Sequence, residues 1–258
     1  MDIDLLSQAL EAASTKALAK TRGREVRTLK GVRGVPDGET ASIAAAAWRE
    51  QKPSLPDDED DLSQLFGTAF EDGLVAVGLL AAMLPDAPMD VFDIGLDWLS
   101  RTDDGATADA LGWLVLGPGA LAANLPQSRI LDVTRRANHP AVRRAGVMSA
   151  MALTGERIEG PAAAPLRERL GSRMVRFVDA PDSRRIAEVC AAFLRDEDPM
   201  VRKALRRLVR TWGGVDPEAT VAWGRGTAGG LPRLIRDEIL RLERKLGHSR
   251  DDDDSDEV

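Results

Sequence analysis

The chain has 258 residues, 43% of them hydrophobic and only 4% aromatic, with no Tyr and a single cysteine, Cys190. That length can bury a sizeable core, and its dependence on Ala, Leu and Val favours packed helices over a β-sandwich, whose strands need β-branched and aromatic residues. One Cys excludes an intramolecular disulfide and a Cys-based zinc cage, and no apolar stretch reaches the ~20 residues of a membrane span.

Taken from its beginning, the chain starts Met1-Asp2-Ile3-Asp4, without the basic segment of a signal peptide. A soluble, cytoplasmic protein is therefore expected. Leu5, Leu6, Ala9 and Leu10 recur at helical spacing. Asp57-Asp58-Glu59-Asp60-Asp61 reads as an acidic linker and helix start, leading into Leu62, Leu65 and Phe66. Leu74, Val77, Leu79, Leu80 and Met83 form the next helix, which stops at Pro85. Further helices are predicted over 89–101, 106–116, 127–138, 140–154, 162–178, 183–195, 199–213, 216–225 and 232–246, with Pro or Gly at most joints. Asp216-Pro217 has the form of an N-cap followed by proline at the first helical position. Cys190 sits in an apolar run and reads as buried filler. No stretch alternates apolar and polar residues, so little or no strand is expected. Residues 1–247 are read as one domain, and 248–258, with one Arg and six acids, as a disordered acidic tail.

Two segments share a pattern. His139-Pro140-Ala141-Val142-Arg143-Arg144-Ala145 matches Asp198-Pro199-Met200-Val201-Arg202-Lys203-Ala204 as Pro-x-Val-Arg-basic-Ala. Proline opening a helix with basic residues on its outer side is a mark of HEAT repeats, whose helix pairs stack into a superhelix. The fold class expected is all-α, a HEAT-like α-solenoid with a concave basic face.

Charge is distributed unevenly. The net charge is −7, yet residues 1–110 carry 10 basic and 21 acidic side chains, and residues 111–247 carry 24 basic and 15 acidic. The helix after Pro199 shows this best. Val201, Leu205, Leu208 and Trp212 form an apolar stripe, while Arg202, Lys203, Arg206, Arg207 and Arg210 place five cations in nine residues with no acid among them. Like charges so spaced repel, which points to a polyanion as their complement, with DNA phosphates the obvious one. Arg143 and Arg144 repeat the theme, and Arg suits bidentate phosphate contacts.

These segments resemble the DNA alkylation repair (AlkD-like) family across most of the chain. Lys30-Gly31-Val32-Arg33, Pro36-Asp37 and Ile43-Ala44 resemble its early Gly-Val, Pro-Asp and Ile-Ala positions. The stretch 62–80, Val142-Arg143-Arg144-Ala145, the helix from Val201, Asp216-Pro217-Glu218-Ala219 and Arg236-Asp237-Glu238-Ile239-Leu240 follow in the family's order. The resemblance implies a DNA glycosylase that hydrolyses the N-glycosidic bond of cationic alkylated purines in double-stranded DNA, alkylated or distorted, without flipping the base. It implies no cofactor and no metal. It also identifies Asp109 as the catalytic carboxylate, stabilising positive charge on the deoxyribose, and Arg144 as the group holding phosphate beside it.

Independently of any family, Asp109 is a charge in the otherwise apolar segment 106–116, where an unpaired carboxylate is rare; a surface-facing Asp or a simple ion pair is the plainer reading. Arg143, Arg144, Lys203, Arg207, Arg210 and Trp113 are the residues expected to contact nucleic acid. Two positions depart from the family: Gly105 and Arg207 stand where it carries Trp, with Trp113, four residues after Asp109, a partial substitute or simply core. The expected activity is correspondingly weak. The alternatives are a non-catalytic DNA-binding solenoid of the same family and a HEAT-type protein-interaction scaffold. With only His139 and His248 available, a Ser-His-Asp triad or His-based metal site is excluded. The protein is expected to be a monomer, free of membranes, cytoplasmic and associated with the nucleoid.

Overall fold

A computed structural model describes residues 1–26, 28–171, 176–227 and 230–253. Among them the only β pairing is an isolated bridge between Gly31 and Ala69. The helices run α1 (Ile3–Ala12), α2 (Lys16–Val26), α3 (Asp37–Gln51), α4 (Glu59–Thr68), α5 (Phe70–Ala82), α6 (Pro88–Trp98), α7 (Gly105–Ala110) and α8 (Gly117–Ala122). They continue with α9 (Ser128–Thr134), α10 (Pro140–Ser149), α11 (Ala164–Leu170), α12 (Ser183–Phe193), α13 (Pro199–Val215), α14 (Pro217–Gly226) and α15 (Arg233–Asp253). The all-helical, α-solenoid-like architecture expected from the sequence is what the chain adopts. No described helix is long and apolar enough to cross a membrane.

One row of helices forms the spine. α5 packs on α7, α7 on α10, and α10 on α13, while α4, α6, α9, α12 and α14 lie behind and pack against members of this row or their extensions. The apolar stripe of α13 makes such packing possible: Val201, Leu205, Leu208 and Trp212 are each at most 2% exposed. Fully burying side chains of this size contributes ~1.5–3 kcal/mol each, far more than helix propensity supplies. Phe66 and Trp98 stack at 4.3 Å between ring centroids within the N-terminal part of the same core. Cys190 is fully buried, and burial pushes its thiol up out of the reactive range.

The shared motif now has a structural meaning. In each copy the residue before proline caps its helix, His139 accepting from the Ala141 N–H and Asp198 from the Met200 N–H, while Ala145 and Ala204 are fully buried. Asp216 caps α14 in the same way by accepting from the Ala219 N–H, as Asp216-Pro217 predicts. α7 and α8 are joined by a π-helical turn, Leu111–Leu116. Pro118 has no N–H for the Leu114 carbonyl, and the Gly117 N–H reaches five residues back, to Gly112.

After α10 the chain leaves the stack. A strap, residues 155–171, returns to the N-terminal helices, where α11 packs on α3 and α5. Ile158 and Leu166 are buried beneath it. Arg169 donates to the Ala82 carbonyl at 2.8 Å and to Asp86 at 2.6 and 2.7 Å. The helix predicted over 162–178 is shorter than expected. It ends at Gly171, whose φ of +60° closes the last turn by directing its N–H to the Arg167 and Glu168 carbonyls. At the other end, α15 runs on through the boundary placed at 247. Residues 254–258 of the expected tail lie outside the described residues.

Candidate functional site

Asp109 lies on the last turn of α7, opposite α10 and α13. Asp104 starts that helix by accepting from the Ala106 and Thr107 N–H groups at 2.9 and 2.8 Å. It is fully buried, and burial raises its carboxyl above the usual range. Arg144 grips Asp109 with both arms of its guanidinium, Nε donating to Oδ1 at 2.6 Å and Nη2 to Oδ2 at 2.7 Å. Its Nη1 donates to the Met200 carbonyl at 3.0 Å, tying the pair to the start of α13. Arg207, about two turns further along α13, donates to Asp109 Oδ2 at 3.3 Å and lies 5.0 Å above the Trp113 ring. Asp109 and Arg144 are nearly buried, at 17% and 16% side-chain exposure, whereas Arg207 is 46% exposed. One carboxylate therefore holds two guanidiniums, leaving one net positive charge where three helices meet.

Glycines set this geometry. A Cβ on Gly112 would lie 2.5 Å from the Ala145 carbonyl oxygen, and one on Gly117 2.2 Å from that of Ser149. Only glycine lets the π turn and α10 come this close, and that approach brings Asp109 to Arg144. Gly105 supplies room of another kind. A Cβ there would already touch the Arg144 guanidinium, 3.4 Å from Cζ, so a Trp would compete with Arg144 for the same space.

Asp109 and Arg207 line an open cleft of about 570 Å³. Its floor is Phe70, Leu74, Ala106, Ala110 and Trp113; one wall is α2, with Arg22, Glu25 and Val26, and the other the strap, with Glu159, Pro161 and Ala162. The Trp113 indole N–H is buried and has no hydrogen-bond partner among the described residues. α2 was not singled out in the sequence, and of the strap only the part from residue 162 was, as a helix. The strap lacks helical periodicity at residues 155–160, and only its Gly-Pro punctuation marked it as irregular.

The other expected nucleic-acid contacts disperse. Arg143 is an internal clasp, bound to Asp196 at 2.6 Å and to the carbonyls of Ala137 and Asn138 at 2.8 and 3.0 Å. Arg202, its counterpart in the second motif, likewise reaches back to the Asp196 carbonyl, at 2.9 Å. Arg210 and Arg206 meet on Glu238 of α15 at 2.5 and 2.8 Å, joined by Arg241 at 3.1 Å. Lys203 is exposed and, among the described residues, has no ionic or hydrogen-bonding partner. The inference that these cations need an external polyanion is thus corrected in part. Acids on other helices, invisible within the α13 sequence itself, compensate several of them.

Glu238 is the hub of that compensation. Its carboxyl is 2% exposed, and Arg210 above all, with Arg206 and Arg241, outweighs burial and holds its pKa at about 2, against 4.5 ordinarily. A depressed folded-state value contributes stability that is present above about pH 4.5 and lost as pH falls toward 2. The shift alone sets a ceiling of ~3 kcal/mol. Because the three guanidiniums are 41–55% exposed, solvent screening reduces the expected contribution to ~1–2 kcal/mol. Unfolding free energies of wild type and Glu238→Gln should converge as pH is lowered from 5 to 2.5. A constant difference across that range would remove Glu238 as the titrating group.

A family profile described as DNA alkylation repair enzyme matches residues 6–238. The chain belongs to the DNA alkylation repair family. Among solved structures, it is similar to one titled a predicted DNA alkylation repair enzyme from Enterococcus faecalis, with a TM-score of 0.62 at 12% identity, covering 87% of this chain and 94% of that one. At that identity the likeness speaks for the fold. No curated protein matches the sequence. Family membership agrees with the resemblance drawn from the sequence, and it directs attention to Asp109 and Arg144, the residues through which that resemblance implied a function. Among the described residues, no group of three or more His, Cys, Asp or Glu is placed to hold a metal ion.

Proposed function

We propose that this DNA alkylation repair protein is a glycosylase that releases cationic alkylated purines from double-stranded DNA. The observation that carries the reading is Asp109, a carboxylate clamped by Arg144 at the edge of a cleft with an apolar floor. In an alkylated purine the ring already bears positive charge, so the base leaves readily. The C1′–N bond breaks with its electron pair going to the base, which departs neutral, and the sugar carries the positive charge meanwhile. Asp109 stabilises that charge, water adds at C1′, and the proton it loses passes to solvent. Lys203, exposed and without a partner among the described residues, and Arg207, half exposed at the mouth of the cleft, support this reading as cations available to phosphates. Arg206, Arg210 and Arg241 around Glu238 extend the positive surface with two net charges.

A second reading, a solenoid that binds DNA without excision, has its own support. Both oxygens of Asp109 are already engaged by arginines, and Gly105 and Arg207 replace the aromatic residues that the family resemblance calls for. Base release from a duplex carrying N7-methylguanine separates the two. The glycosylase reading expects release faster than spontaneous depurination, and release at the spontaneous rate would leave the second.

Both readings require phosphate-driven affinity. With about four phosphates neutralised, raising salt from 50 to 200 mM should weaken binding roughly 10²-fold. Mobility shifts at the two concentrations measure this. Affinity indifferent to salt, or absent at 50 mM, would instead favour the protein-interaction scaffold.

A further inference from the structure

We propose that Arg207 is a latch on Asp109 that a DNA phosphate releases, so that the carboxylate acts on the sugar only while duplex is bound. The inference rests on the glycosylase reading for the work it gives Asp109. It starts from a conflict within the site. A sugar cation formed beside Asp109 would meet two guanidiniums and one carboxylate, a net positive charge that repels it. For the carboxylate to stabilise that cation, one arginine must leave.

The geometry points to Arg207. Arg144 holds both oxygens of Asp109, at 2.6 and 2.7 Å, is fixed at its third nitrogen by the Met200 carbonyl at 3.0 Å, and is 16% exposed. Paired charge-assisted bonds of that length are the strong kind. Arg207 makes one contact to the carboxylate, at 3.3 Å, and is 46% exposed. A long single contact within reach of water is the weak kind, and a competing anion can draw it off. Until then the Trp113 ring, 5.0 Å beneath the guanidinium, keeps Arg207 beside the carboxylate.

α13 supplies the place for that anion. Lys203 lies four residues before Arg207, one turn away on the same helix face, exposed and without a partner among the described residues. Two cations so spaced repel, and a phosphate between them turns that repulsion into two attractions. Other cations of α13 are committed elsewhere: Arg206 and Arg210 to Glu238, at 2.8 and 2.5 Å, and Arg202 to the Asp196 carbonyl, at 2.9 Å. The exchange conserves ion pairing. Arg207 trades one anion for another, Asp109 keeps Arg144, and Oδ2 loses one of its two donors. The surroundings of the sugar change from net positive to neutral, with a carboxylate oxygen freer to face it.

The test uses full-length protein and, for binding, a duplex in which N7-methylguanine is attached to a 2′-fluorinated sugar, to resist hydrolysis. Arg207→Gln should weaken binding about tenfold and lower the slope of log affinity against log salt by about one. Arg207→Lys, which keeps the charge, should recover most of the affinity. The latch adds a coupling that a plain phosphate contact lacks. Asp109→Asn should tighten binding about threefold when Arg207 is present, and most of that gain should vanish in Arg207→Gln. In single-turnover release from an ordinary N7-methylguanine duplex, the loss in Arg207→Gln should fall on the protein concentration giving half-maximal rate, and not on the rate at saturation. An equal effect of Asp109→Asn with and without Arg207 overturns the proposal, as does an unchanged salt slope. A saturated rate that rises severalfold in Arg207→Gln also overturns it, because Arg207 would then still sit on Asp109 in the complex. So does one that falls in step with affinity, because Arg207 would then act on the reaction directly. Release no faster than spontaneous depurination sinks the glycosylase reading alone, and the two binding measurements still decide whether Arg207 passes from Asp109 to phosphate.

Discussion

Asp109→Asn is expected to slow release of N7-methylguanine by about 10²-fold or more, the scale on which one preorganised electrostatic group acts, while DNA binding stays equal or becomes tighter. The two effects separate because positive charge on the sugar exists in the transition state and not in bound DNA. The geometry sharpens the second half. Arg144 and Arg207 both spend donors on Asp109, and the amide frees them for phosphates. The same substitution has a stability cost. It leaves Arg144, 16% exposed, with one neutral amide oxygen in place of two carboxylate oxygens, beside the Met200 carbonyl, and the loss should be about 1–3 kcal/mol. Single-turnover release and a binding titration, both run well below the melting temperature, measure the two quantities independently. If affinity falls in step with release, Asp109 serves to hold Arg144 in place and does no chemistry.

Gly112→Ala is the second large effect, and its sign separates two contributions. By helix propensity alone, Ala should stabilise by up to ~1 kcal/mol. Packing opposes this. The new methyl would stand 2.5 Å from the Ala145 carbonyl oxygen and 2.9 Å from Met148 Cβ, and a backbone oxygen cannot swing aside as a long side chain can. The π turn and α10 must separate, at about 1–3 kcal/mol for overpacking of this kind. Net destabilisation of about 1–2 kcal/mol is expected once propensity is subtracted. Gly23→Ala in α2 is the control: nothing lies within 4 Å of its Cβ position, so propensity acts alone and stability should rise. Urea unfolding of both variants decides the matter, and stabilisation of the two alike would mean that the close approach at Gly112 is not rigid. Because that approach also sets the distance from Asp109 to Arg144, Gly112→Ala should reduce base release beyond what its loss of stability explains.

Periodicity and punctuation carried most of the fold. The stripe at 201, 205, 208 and 212 specified which side of α13 is buried, because only a 3.6-residue period puts those side chains on one face. Pro140, Pro199 and the Asp216-Pro217 pair marked three helix starts that the backbone adopts. The lone carboxylate of segment 106–116 was also legible, since an acid among apolar neighbours needs a partner, and Arg144 is that partner. What the sequence could not assign was the work of each arginine. In the motif Pro-x-Val-Arg-basic, the first basic residue clasps the preceding loop in both copies, and the second differs between them: Arg144 turns along the row onto Asp109, Lys203 into solvent. Arg206 and Arg210 look identical to Arg207 along the chain, yet they answer to Glu238, while Arg207 answers to an Asp almost a hundred residues away. Local spacing fixes which side of a helix a charge occupies. Whether that charge is neutralised depends on which other helix the solenoid sets beside it, and the walls of the cleft, α2 and the strap, come from stretches with no periodic signal linking them to Asp109.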